Sequence, residues 1–182
     1  MFGNLSGRAK EFERSGIRIR NFAQLSLFAR LDPYQLAKKL GMRVIDVCSL
    51  YLSIENARTL LVLKANEWSG SSSGVLPDGA VLIILNKTQS EQRRRATLME
   101  EICHVLLGHQ RDRLVYSQAR LDFDQRKETE AYGVGAAALV PHVSLKKMLL
   151  QGRTHEEIAQ WFGVSRSLVE YRDQLTSSTY LI

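Results

Sequence analysis

The chain has 182 residues, 45% of them hydrophobic, and a formal net charge of +6. That composition can bury a core and fits one domain with a small appendage, and it excludes a disordered, highly charged segment. The longest apolar runs, such as residues 80–85, are far shorter than the roughly 20 residues that span a bilayer, and the N-terminus, with Arg8, Lys10, Glu11 and Glu13, lacks the apolar stretch of a signal peptide, so a cytoplasmic protein without a membrane partner is expected.

Residues 1–30 read as an N-terminal helical segment. The pattern from about Gln24 to Leu40 is helical, with Asp32 as N-cap and Pro33 at the first position of a helix that Gly41 ends. Residues 42–47 and 59–63 look like strands, 68–74 (WSGSSSG) like a flexible loop, 77–79 like a turn and 80–86 like a strand. Three short strands make a small sheet, so the class expected is α+β, predominantly helical. Thr88-Gln-Ser-Glu91 fits a capping box that starts a long helix through about Gly108. A polar linker of mixed charge follows from 110 to 125, then a second helix over about 125–140.

The C-terminal part opens with a capping box, Thr154 to Glu157, and residues 158–169 have the small Ala159, the turn Gly163 and the apolar spacing of a helix-turn-helix, with Ser165 capping its second helix. One reading sets Arg166, Ser167, Glu170 and Arg172 against DNA. Glu170 and the scarcity of lysines suit phosphate poorly, and a packing module that completes the core or grips a substrate is preferred. The remaining positive charge is dispersed: Arg14, Arg18 and Arg20 form one cluster and Arg93 to Arg95 another, read mainly as solvated surface. Cys48 and Cys103 form no C-x-x-C pair, so neither a structural disulfide nor a cysteine zinc site is expected, and Cys103 reads as an inert buried thiol.

The chemistry concentrates in Glu100-Glu101-Ile102-Cys103-His104, the H-E-x-x-H signature of zinc peptidases with its first histidine exchanged. Positions i and i+4 of a helix stand one above the other, so Glu100 and His104 can close on one metal ion while Glu101 sits beside it as a base. The plainer alternative is an amphipathic surface helix, although the polar stripe holds no Lys, Arg or Gln through its central turns. A third ligand is sought on the second helix. There Glu130 shares a face with Gly133, Val134 and Ala137, and the small residues around it ask for the close approach of another helix, which would be the Glu100/His104 helix if Glu130 joins the metal. The alternative is a tightly packed Ala/Gly helix with Glu130 exposed. Glu128 is read as pointing to the other side.

Two segments carry a family resemblance. Residues 96–109 (ATLMEEICHVLLGH) resemble the "fTLaHElgHllLgH" segment of the ImmA/IrrE metallopeptidases, and residues 128–141 (ETEAYGVGAAALVP) resemble their "ExEAnxfAaxLLmP" segment. Tyr132 departs from the usual Asn or Asp. The resemblance covers roughly 31–175. It implies a zincin-like core over 31–142, a helix-turn-helix-like module over 143–182, and cleavage of a protein substrate, in this family often a helix-turn-helix transcriptional repressor. Carried over by position, His104 and Glu130 are metal ligands, Glu101 is the general base, and Glu100 stands where the family has a histidine.

Zinc is the metal expected, and manganese or iron is an alternative toward which the added oxygen ligand tilts the preference. Two carboxylates and one imidazole cancel the charge of a dication, so a weaker metal site and a more alkaline activity optimum are expected. The substrate chain is expected along the edge of the 80–86 strand. Tyr116, Tyr132, His109 and His142 qualify as oxyanion partners by chemical type only, and His109 as at most a support for a ligand. A pseudopeptidase that binds a regulator without cutting it is the alternative function, and a DNA-binding regulator is the third.

Overall fold

A computed structural model describes residues 5–46, 69–109 and 124–177. The strand expected at 59–63, Cys48, Tyr116 and most of the 110–125 linker lie outside these residues. In chain order the described elements are α1 (Gly7–Phe22), α2 (Pro33–Lys39), β1 (Arg43–Asp46), β2 (Gly70–Val75), β3 (Val81–Leu85), α3 (Glu91–Leu106), α4 (Gln125–Leu139), α5 (His142–Leu150), α6 (His155–Phe162) and α7 (Arg166–Ser177). The class is α+β and predominantly helical. Among the described residues, no helix is long and apolar enough to cross a membrane. Contacts divide the chain into two compact units, residues 33–128 and residues 1–32 with 129–182.

In the first unit, the sheet has the order β1-β3-β2, with β1 parallel and β2 antiparallel to β3. The serine-rich stretch expected as a flexible loop is therefore a strand: Gly70 pairs with Leu85, Ser71 with Ile84 and Ser72 with Ile83. Ser and Gly have little strand propensity of their own, and pairing with an aliphatic neighbour overrides it. The 77–79 turn closes this hairpin, with Gly79 at φ +82° and the amide of Ala80 donating to Asp78 Oδ1 at 3.1 Å. β3 is the middle strand, so the expected substrate edge along it is already paired on both sides; the outer strands among the described residues are β1 and β2.

Helix α3 packs on β2 and β3, and α2 packs on α3 and β1. The helix begins later than the Thr88 capping box suggests. Ser90 is the N-cap, its hydroxyl accepting from the amide of Arg93 at 3.2 Å, because the Thr88 hydroxyl donates instead to Asn86 Oδ1 at 2.8 Å. Leu98, Met99, Ile102 and Cys103 are fully buried, as are Ala37 and Ile83. Gly70 lets strand and helix approach closely: a Cβ there would lie 2.7 Å from Thr97 Cγ2.

The second unit is helical. The small residues of α4 ask for the close approach of another element, and at Gly133 that element is α1. A Cβ at Gly133 would lie 2.3 Å from the Phe12 ring, and Gly16 of α1 faces the Ala137–Ala138 backbone, 2.8 Å from a Cβ placed on it to the Ala138 nitrogen. Phe12 is 4% exposed and cannot swing into solvent. Gly133→Ala should therefore lower stability by about 1–3 kcal/mol despite the gain in helix propensity. Adding Phe12→Leu should recover most of it in thermal melts, and an unchanged melting temperature for the single variant would contradict this packing.

Two arginines read as surface or DNA-facing are buried. Arg20, whose neighbours Arg14 and Arg18 are exposed, donates to the carbonyls of Ala138, Ser26 and Ala29. Arg172 pairs with Glu13 and donates to the carbonyl of Val140 at 3.1 Å, while Glu13 also accepts the His142 amide at 3.1 Å. Burial pulls the Arg20 guanidinium down to about 10 and that of Arg172 to about 9. These fixed cations gather loop and helix-end carbonyls that would otherwise be buried without donors. The Thr154 capping box forms as expected, and Gly163 ends α6 in the left-handed region at φ +66°. Hydrogen bonds from the Thr154 amide and hydroxyl hold the Glu157 carboxylate below its usual range. Their contribution is present above the ordinary carboxylate pKa and is lost as pH falls through the lowered one.

Candidate metal centre

The apolar sector of α3 fixes its rotation. With Leu98, Met99, Ile102 and Cys103 buried, the helix sets Glu100, half-buried, and His104, 1% exposed, one turn apart. Glu101 lies between them in sequence and is 3% exposed. On Cys103, burial and then the Glu100 carboxylate push the thiol far above its ordinary range, so it is an inert core group as expected.

The third acidic group comes from the start of α4. His104 Nε2 lies 3.3 Å from Glu128 Oε2, and one ligand atom each from Glu100, His104 and Glu128 all lie within 4.8 Å of one another. Ligands about 2.1 Å from a tetrahedral zinc stand roughly 3.4 Å apart, so the imidazole and carboxylate are already at ligand spacing. Two carboxylate oxygens and one imidazole nitrogen suit zinc, manganese or iron. The donor set fits a divalent ion.

Glu130, expected in this position, is exposed. Two residues along a helix amount to a rotation of about 200°, so Glu128 and Glu130 cannot both face His104. The signal for Glu128 lies in the sequence: Ala131 and Gly135, three and seven positions on, form a stripe as narrow as the Gly133/Ala137 stripe that pointed to Glu130. Small residues mark both sides of α4 and leave its phase open.

His109 meets His104 from the other side. Gly108, at φ +70°, turns the chain back at the end of α3, and the His109 amide donates to the His104 carbonyl at 2.9 Å. The two Nδ1 atoms are then 3.2 Å apart, with the rings edge to face at 66°. Two other residues considered for the oxyanion have structural surroundings in the helical unit: Tyr132 packs edge to face on Tyr171, and His142, whose pKa is lowered by burial and by Lys146, donates its amide to Glu13. A cavity of about 340 Å³ in the sheet unit is lined by Tyr34, Val44, Ile45, Asp46, Leu85, Glu91 and Arg94.

No curated protein matches the chain. The model of a peptidase family, described as the IrrE N-terminal-like domain, matches residues 57–173. That span takes in α3, its Glu100-Glu101-x-x-His104 turn and Glu128, and it is well over half of the sequence, so the chain belongs to the IrrE N-terminal-like peptidase family.

Proposed function

We propose that the protein is a cytoplasmic metal-dependent endopeptidase of the ImmA/IrrE type, acting on a protein substrate, a helix-turn-helix transcriptional repressor. The observation that carries the reading is the convergence of Glu100, His104 and Glu128 within 4.8 Å, on the helix that holds Glu101. Those three side chains would hold the ion. What a bound divalent ion supplies is Lewis acidity toward the scissile carbonyl. Glu101 accepts the proton of the attacking water on its carboxylate and returns it to the leaving amine.

The substrate strand is placed along β1, which among the described residues pairs only with β3 and borders the cavity at Val44 to Asp46. The zincin-like core is read onto the sheet unit, residues 33–128, which holds Glu100, Glu101, His104 and Glu128, and the C-terminal helices α6 and α7 act as a packing module. With Arg172 fully buried and Arg166 paired to Glu170 at 2.7 Å, three of the four residues offered to DNA are already engaged within the protein.

The test is incubation of the purified protein with a repressor encoded beside its gene, with zinc or manganese added. Cleavage at a defined peptide bond, stopped by a chelator, is expected. Stable binding without cleavage would instead favour the pseudopeptidase reading, and neither binding nor cleavage would count against the repressor as substrate. Glu100→His should raise zinc affinity roughly tenfold by replacing a hard oxygen with an imidazole, measured by competition with a chromophoric chelator. Equal affinity would count against Glu100 as the weak ligand of the site.

A further inference from the structure

We infer that His109 is a positioning residue that fixes the tautomer of His104 for metal binding. The inference rests on the metal-site reading above and goes beyond it by giving a task to a residue outside the ligand set. His104 presents Nε2 toward Glu128 and Nδ1 toward His109, 3.3 Å and 3.2 Å away. A neutral imidazole carries one proton. When Nε2 gives its lone pair to a cation, that proton must sit on Nδ1, and Nδ1 then needs an acceptor. The atom facing it is His109 Nδ1, which accepts only when the His109 proton is on Nε2.

The backbone favours this arrangement. His104 is 1% exposed, so a solvent molecule cannot readily replace the acceptor, and the backbone of His109 is set beside His104 by Gly108 in the left-handed region and by its own amide bonded to the His104 carbonyl, with the two rings edge to face. In many metal sites a carboxylate or backbone carbonyl accepts from the ligand histidine. Here a second imidazole fills the position without adding charge. That matters because Glu100 and Glu128 already balance a dication and Glu101 is a further carboxylate beside it, so a carboxylate acceptor would add to an excess of negative charge.

The experiment uses the full chain labelled with ¹⁵N-histidine and zinc ion alone as the probe. In the zinc-loaded protein, long-range ¹H–¹⁵N spectra should show His104 protonated on Nδ1 and His109 protonated on Nε2. His109→Leu should weaken zinc binding about 10- to 100-fold, whereas His109→Asn, whose Oδ1 can stand where Nδ1 was, should stay within about threefold of the parent. A purely structural role would lower the melting temperature of the zinc-free variants and leave zinc affinity alone. His109 protonated on Nδ1 in the loaded protein, or a His109→Leu variant that binds zinc as tightly as the parent, would overturn the inference and leave the metal site standing. Zinc that moves no His104 resonance in the parent would remove the metal site itself, and this inference with it.

Discussion

Glu101→Gln should slow substrate cleavage roughly 10²- to 10⁴-fold, the range a positioned general base contributes, while zinc affinity stays within a few-fold of the parent. Gln matches Glu in size, so a side chain that is 3% exposed is replaced without a cavity. What is lost is the ability to take a proton. Glu101 is not among the three groups that converge at ligand spacing, and this separates its effect from that of any ligand change. Single-turnover cleavage of the repressor with excess enzyme, alongside a zinc titration, measures both quantities. A variant that cuts at the parental rate would remove Glu101 from the proton transfer, and one that loses zinc as well would make it a ligand.

Arg172→Met should lower stability by about 3–5 kcal/mol, because it leaves the Glu13 carboxylate buried without its cation. For a chain of this size that is a fall of roughly 10 °C in melting temperature. Glu13, 1% exposed, would keep only the His142 amide among the contacts described for it. Replacing both partners, Glu13→Met with Arg172→Met, should recover most of the loss, since an apolar pair of similar volume requires no desolvation. Thermal melts of the two single variants and the double variant give the coupling directly. If Arg172 were instead a solvent-facing DNA contact, Arg172→Met would stay within about 0.5 kcal/mol of the parent.

Local signals in the sequence located most of the described helices. Pro33 and Gly41 bracket α2, the Thr154 box starts α6, and α4 begins at Gln125 and ends one residue before the expected position. The pair Glu100/His104 was legible because spacing within one helix fixes it. What local pattern could not supply was the phase of α4: small residues line both sides of it, so the choice between Glu128 and Glu130 depends on how the helix docks. The strand at Gly70–Val75 was hidden for a related reason, since its pairing with β3 is tertiary and its serines carry no strand signal. Arg20 and Arg172 look like surface charge in any window, and only the carbonyls and the carboxylate brought to them from distant segments explain their burial.

The central claim is that Glu100, His104 and Glu128 hold one divalent ion. Equilibrium zinc binding by the parent, Glu128→Gln and Glu130→Gln tests it most directly. One zinc per chain is expected for the parent, with affinity lowered at least about tenfold in Glu128→Gln and little changed in Glu130→Gln. A parent that binds no zinc, manganese or iron, or a loss of affinity confined to Glu130→Gln, would contradict it.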